Sequence, residues 1–271
     1  MENEVKFEHN KFSKRLKSMI RVDFKRMLRS RLFYMIIACA LLIPILMTVM
    51  MTMMDGTESV NQQTGEIVII NGPDNTWQSI GAFPGEAGAQ MGGMDVMSMC
   101  NINMMFMLVA VFICIFISDD FRSGYAKNLF TVRVKKSDYV ISKTLVGVTC
   151  GILMLLAYFL GAVLGGAVSS LSFDLGELSV CNLVMCMAAK LLLMLVFVPI
   201  FVTVSVAARQ KAWLSICGSL GAGMLLFMMV SMITPLNSTV SNVLICLLGG
   251  AVFSIGLGAV SNLILKKCSL V

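Results

Sequence analysis

Long apolar runs separated by short polar stretches set the plan of this chain of 271 residues. Leu32–Met54, Val96–Ser118, Thr144–Ser170, Ser179–Ala208, Ala212–Thr234 and Thr239–Leu265 are nearly free of charge. At about 1.5 Å per residue, helices of this length match the roughly 30 Å hydrocarbon core of a bilayer. The pattern predicts an all-α polytopic membrane protein with six transmembrane helices. The third and fourth runs exceed what a perpendicular crossing needs, so tilt or extension beyond the membrane is expected there. The first run is too long for a signal-peptide core and lies behind a basic head, so it reads as a span.

Within that head, residues 1–31, Phe12, Leu16, Met19, Ile20, Phe24 and Met27 recur at helical spacing. Lys14, Arg15, Lys17, Arg21, Lys25 and Arg26 fill the rest of the wheel. This is the pattern of a basic amphipathic helix lying in the inner membrane interface. It suits an electrostatic anchor on anionic lipid and equally a brace for a cytoplasmic partner. The remainder, 32–271, forms one membrane domain with an outer loop at 55–95. In that loop SVNQQTGEIVII, Ser59–Ile70, predicts a small hairpin around a Thr-Gly turn. The rest of the loop reads as irregular, either a solvated connector or a gate.

Composition agrees: 58% of the residues are apolar and 13% charged, with mean hydropathy +0.87. Charge then gives orientation. The head holds ten Lys/Arg against four acids, whereas the loop 55–95 holds six acids and no Lys or Arg. Six basic residues lie in 119–143, Arg209 and Lys211 mark the next return, and Lys266 and Lys267 the tail. Basic residues on alternate connections place both termini in the cytoplasm. No basic soluble domain exists to hold nucleic acid.

Chemistry is sparse. There is one histidine, His9, and no CxxC pair, which argues against a zinc site. Nine cysteines read mainly as small buried hydrophobes, with Cys100 and Cys181 near the outer face as a conceivable pair. Methionines crowd the start of the second span (Met91, Met94, Met97, Met99), a pattern compatible with Cu(I). With 24 methionines in the chain, gap-filling between helices is the simpler reading. Small residues at four-residue spacing, Gly147/Gly151, Gly161/Gly165 and Gly250/Ser254/Gly258, predict close helix packing, within the bundle or in a dimer. Lys190 is the one charge deep in a span. It reads either as a translocation-pathway cation facing a cavity or as a snorkelling side chain. No metalloprotease, hydrolase or Walker-type motif occurs, and no span carries Asp or Glu, so the chain has no evident energy source.

One segment remains: Ser118–Lys143, SDDFRSGYAKNLFTVRVKKSDYVISK, dense in both charge signs between two apolar runs. It resembles the cytoplasmic connection between the second and third spans of type 2 ABC exporter permeases. There an acidic residue ends the second helix, a Gly follows, then a short helix, then a Lys opening the third span. Asp119 and Asp120, Gly124, Tyr125-Ala126-Lys127-Asn128-Leu129, Arg133, Tyr139 and Lys143 occupy those places. The Gly-x-x-Lys-Asn-Leu run is similar to small permeases of peptide or bacteriocin export and immunity in Gram-positive bacteria. The chain departs from the family in having Asp rather than Glu and Tyr125 rather than Thr.

The resemblance implies a bacterial plasma-membrane permease without enzymatic activity of its own, exporting amphipathic or antimicrobial peptides. It also implies two copies of a separate ABC ATPase that carry ATP-Mg, and a second permease subunit, identical or sister. The ATPase-coupling residues would be Asp119, Asp120, Arg122, Gly124, Tyr125, Lys127, Asn128, Arg133, Lys135, Lys136 and Lys143. Of these, Arg133, Lys135 and Lys136 would end the short helix, and Asp119 and Asp120 would pair with Arg122 and Lys127. The chain itself binds no cofactor on this reading. Lipid, drug or copper-related substrates, and an ion-coupled carrier or channel without an ATPase, are the alternatives.

Overall fold

The computed structural model describes residues 2–60, 67–69, 72–81, 83, 101–131, 135–176 and 178–267. Among them, α1 covers Glu2–Arg29 and α2 Arg31–Met54, separated only by the extended backbone of Ser30. After the outer loop come α3 (Met104–Arg122), α4 (Tyr125–Thr131), α5 (Lys136–Val168), α6 (Val180–Ala208), α7 (Ala212–Ile233) and α8 (Val240–Lys267). Five of these, α2, α3, α5, α6 and α8, are long and apolar enough to cross a membrane, and α7 carries a shorter apolar stretch, Ala212–Phe227.

The spans differ from the apolar runs at their ends, for local reasons. The second run begins at Val96, but residues 84–100 lie outside the described residues, and α3 starts at Met104. There Asn101 Oδ1 accepts from the Asn103 amide at 2.9 Å, closing a turn ahead of the helix. At its other end α3 continues past Ser118 to Arg122. The third helix begins eight residues before the apolar run, at Lys136, so that α5 reaches 33 residues and projects beyond a bilayer. Pro44 and Pro199 sit inside α2 and α6, and Pro235 follows the end of α7, where a span must close.

α3 is the centre of the bundle, with most of its apolar stretch buried, whereas α8 is peripheral and largely exposed. Phe106, Phe112, Tyr158, Phe197 and Phe201 fill the interior, and the Phe106 and Phe197 rings stack with centroids 4.5 Å apart. Most of the small residues at four-residue spacing work within the chain, Gly258 excepted. A Cβ on Gly161 would collide with the Leu41 carbonyl oxygen and lie 2.6 Å from Pro44 Cγ; one on Gly165 would lie 3.0 Å from Ile45 Cα. The third-span glycines thus let α2 lie against α5. On the far side Gly250 meets Leu195 and Ser254 Oγ donates to the Leu195 carbonyl at 2.8 Å, holding α8 to α6.

After α2, Glu58–Val60 (β1) pairs antiparallel with Ile67–Ile69 (β2) as the hairpin pattern predicted, while residues 61–66 lie outside the described residues. The expectation of irregular chain beyond it needs correcting for residues 72–81. Thr76–Ser79 form a 3-10 turn with an Asn75/Gln78 capping box. Trp77 Nε1 donates to the Phe173 carbonyl at 3.0 Å, its ring stacks on Phe159, and the Ile102 amide donates to the Ser79 carbonyl at 2.9 Å. This stretch is a fixed cap joining the start of α3 to the end of α5.

Gly161→Val is expected to destabilise the detergent-solubilised protein by about 1–3 kcal/mol, the usual cost of overpacking. Gly258→Val, whose Cβ would meet nothing within 4 Å, should leave the thermal unfolding midpoint unchanged. Equal midpoints for both variants would refute the α2–α5 contact.

Candidate functional site

The connection between α3 and α5 folds as a turn and a short helix; residues 132–134, which follow them, lie outside the described residues. Ser123 Oγ donates to the Asp119 carbonyl at 2.6 Å, ending α3. Gly124 follows at φ 72°, the left-handed region that a side chain strains. Nothing lies within 4 Å of its absent Cβ, so backbone conformation alone accounts for glycine there. α4 then covers the seven residues Tyr125–Thr131.

Beneath this connection lies a group of four buried or half-buried charges drawn from three helices. Lys143 Nζ is 2.8 Å from Asp23 Oδ1 and 2.7 Å from Asp120 Oδ2. Arg26 Nη2 is 2.6 Å from Asp120 Oδ1, and Arg26 Nη1 is 3.7 Å from Asp23 Oδ1. The first of these is a charge contact whose angle falls outside hydrogen-bond geometry, since Asp120 Oδ1 has no directed donor. Tyr139 OH donates to Asp120 Oδ2 at 3.0 Å and Ser142 Oγ to Asp23 Oδ2 at 2.6 Å. Aromatic faces complete the enclosure: Lys143 Nζ stands 4.2 Å from the Phe116 centroid and Arg26 Cζ 4.1 Å from that of Tyr125.

Two carboxylates face two cations, so the cluster is neutral as a whole, which is the condition for holding charge away from water. At Arg26, burial opposes the charge, but the neighbouring Asp120 and then Asp23 outweigh it and hold the guanidinium above its ordinary value. Burial, followed by the Asp23 carboxylate, pushes the Tyr125 phenol up, so it stays protonated at physiological pH. A fifth contact, Arg15 Nε to the buried Asp138 Oδ2 at 3.4 Å, pins α1 to the start of α5 a second time.

The structure therefore divides the expected coupling residues into two sets. Asp120 and Lys143 lie in the buried cluster, with Tyr125 half-buried at its edge. Asp119, Arg122, Lys127, Asn128 and Lys135 are exposed, on the outer surface of the same connection. Arg133 lies outside the described residues. The expected pairing of Asp119 and Asp120 with Arg122 and Lys127 does not form: Asp120 turns inward to Arg26 and Lys143, where its charge is worth more than on the surface. Lys135 and Lys136 do not end the short helix. Lys135 caps α5, and Lys136 begins it, donating from Nζ to the Leu265 carbonyl at 2.6 Å in the last turn of α8. Lys143 sits two turns inside α5 rather than at its start.

Asp23 was not singled out by sequence reasoning, although a signal existed. It lies on the line Met19–Asp23–Met27, an acid on the apolar face, and all three side chains are buried.

At the opposite end, Lys190 is fully buried on α6. Its Nζ donates to Asn103 Oδ1 at 2.7 Å and to Thr234 Oγ1 at 3.0 Å, and Asn103 Nδ2 reaches Ser231 Oγ at 3.3 Å. The ammonium does not snorkel. It ties the start of α3 to the C-terminal end of α7, where helix carbonyls favour a cation. Below it, Leu193, Phe197, Val230, Ile233 and Cys246 line part of an apolar cavity of about 170 Å³ between α6, α7 and α8. Cys181 is exposed and Cys100 lies outside the described residues.

Residues 19–221 match the family described as ABC-2 family transporter protein. No curated protein and no solved structure matches the chain. The match runs from the middle of α1 through the connection to the first half of α7. The chain belongs to this family and is a multi-pass membrane permease subunit of an ABC transporter.

Lys143→Met leaves the buried cluster with net negative charge and is expected to cost about 3–5 kcal/mol, as when one partner of a buried pair is removed. Asp23→Asn/Lys143→Met restores neutrality and should cost less than the sum of the single variants. Additive thermal unfolding shifts would show that the charges do not interact.

Proposed function

We propose that the chain is the membrane half of an ATP-driven exporter, built from two permease subunits, identical or sister chains, and two separate ATPase subunits carrying ATP-Mg. In this arrangement α7 is the sixth crossing: its 22 residues reach about 33 Å as a helix. Both termini and the connection 119–135 face the cytoplasm of a bacterial cell, as the Lys/Arg asymmetry favours.

One observation carries this reading. The connection presents Asp119, Arg122, Lys127, Asn128 and Lys135 outward while its base is anchored in a buried ion cluster. An exposed polar surface on a rigid base suits a receiver of force from a soluble partner better than a solvated loop does. Closure of the ATPases on ATP pushes the connection, and α3 and α5 carry the displacement into the bundle, which opens outward.

Amphipathic or antimicrobial peptides are the substrate class we favour. The resemblance of Gly124, Lys127, Asn128 and Leu129 to peptide-export and immunity permeases supports it, as does the apolar cavity beside Lys190. Lys190 then serves the pathway once its bonds to Asn103 and Thr234 open.

Arg122→Ala/Lys127→Ala/Asn128→Ala should weaken co-purification of the ATPase by roughly tenfold, the equivalent of 1.4 kcal/mol, without shifting thermal unfolding. Undiminished ATPase recovery would sink the coupling assignment. In vesicles holding the assembled transporter, Lys190→Met should abolish peptide uptake while the ATPase stays bound; transport at the parent rate would remove Lys190 from the pathway.

A further inference from the structure

The face of α1 opposite the ion cluster has no role in the coupling described above. On a helical wheel Met19, Asp23 and Met27 mark one side, and these are buried against the bundle. Lys14, Lys17, Arg21, Lys25 and Arg29 fall on the other side, at successive spacings of three and four residues. All five are exposed, and none forms an ion pair among the described residues. No acid shares this stripe over residues 12–29, and the apolar Val22 and Leu28 flanking it are also exposed, at 43% and 49%. α1 leads into the first span through a single extended residue, Ser30, which holds its last turn next to the membrane.

We propose that this stripe is a binding surface for anionic lipid headgroups, and that Asp23 and Arg26 on the reverse face transmit its occupancy to the coupling connection. The proposal rests on the permease reading for its second half. Charge complementarity decides the ligand. Five uncompensated cations beside exposed apolar side chains fit the phosphate-rich, negatively charged surface of a cytoplasmic leaflet. Each such residue near an anionic leaflet strengthens binding roughly fivefold. The route inward is short. Arg26 follows directly on Lys25 and touches Asp120 at the end of α3, and Asp23 is shared with Lys143 and Ser142 of α5. An α1 held down on charged lipid fixes Asp23 and Arg26, and these fix the base of the connection. An α1 free of lipid leaves that base held from one side only.

The test uses the full transporter, permease with its ATPase, in nanodiscs of phosphatidylcholine alone or mixed with phosphatidylglycerol. Two quantities are read: phosphatidylglycerol retained by the permease through purification, measured by mass spectrometry, and the ratio of ATPase rates in the two lipids. The parent protein should retain phosphatidylglycerol and show a ratio of about fivefold or more. Lys14→Gln/Lys17→Gln/Arg21→Gln/Lys25→Gln should lower retention at least about tenfold and bring the ratio near one. The variant Lys14→Arg/Lys17→Arg/Lys25→Arg should preserve both. Asp23→Asn should keep retention and lose the ratio, which separates transmission from binding. Full retention by the glutamine variant overturns the surface, and a ratio near one in the parent overturns the transmission. Loss of the ATPase from the glutamine variant in phosphatidylcholine alone would make the stripe a protein-docking face and overturn the lipid assignment. If no ATPase joins even the parent, the permease reading and the transmission fail together, while retention still decides the surface.

Discussion

Lys143 is the charge on which the packing of α1, α3 and α5 against one another depends. It is fully out of reach of water, and its ammonium is shared between Asp23 of α1 and Asp120 of α3. Alone, a buried ammonium would cost several kcal/mol. With two carboxylates, the Arg26 guanidinium, a tyrosine hydroxyl and a serine hydroxyl around it, the cost is offset only in one arrangement of three helices. Buried ion pairs seldom add much net stability over apolar packing. What this one adds is discrimination: a shift of any of the three helices leaves a charge without its partner.

That discrimination explains the shape of α5. The helix must extend about two turns beyond its apolar run to bring Tyr139, Ser142 and Lys143 under the connection. The extension is polar, so hydropathy alone places it outside the membrane and assigns it to a loop. Once helical, it is braced on several sides. α1 pins it through Arg15 and Asp23, and Lys136 reaches across to the last turn of α8. Further along, Gly161 and Gly165 seat it against α2. A helix held at both ends moves as a body rather than bending, because close-packed interiors pass on displacement instead of absorbing it.

Much of this was legible in the chain, for identifiable reasons. Apolar runs are a strong signal, since every backbone polar group in lipid must be satisfied within a helix. The row Gly161/Gly165 and the glycine at 124 were legible because each has a steric or conformational reason that only glycine meets. The hairpin strands followed from alternation around Thr-Gly. What the sequence concealed were partnerships across distance. Asp23 and Lys143 are 120 residues apart, and in a head with ten basic residues a single acid reads as dilution of charge. Asp120 was read as part of the connection and paired with its sequence neighbours, as locality suggests, whereas it lies buried in the last turn of α3. Burial reverses that choice, because an ion pair gains strength where the dielectric is low. Lys190 was visible as an anomaly, yet only the fold brings Asn103 and Thr234 to it.

These two polar clusters, one at each end, are linked by a single helix. α3 contributes Asp120 to the cluster around Lys143 and, through the residue just before its first turn, Asn103 to the one around Lys190. Between Asn103 and Asp120 lie about 26 Å of helix, lined by the buried Phe106, Phe112 and Ile113. The two ends are not equal in strength. At Asp120 an anion meets two cations and a phenol, whereas at Asn103 a neutral amide meets one ammonium and one serine hydroxyl. Two unit charges at contact distance attract each other more strongly than an ammonium attracts a neutral amide. An axial displacement of α3 therefore opens the contacts around Lys190 at a smaller cost than those around Lys143. The cluster around Lys143 keeps its grip while the one around Lys190 yields, which is the order that the opening proposed above requires.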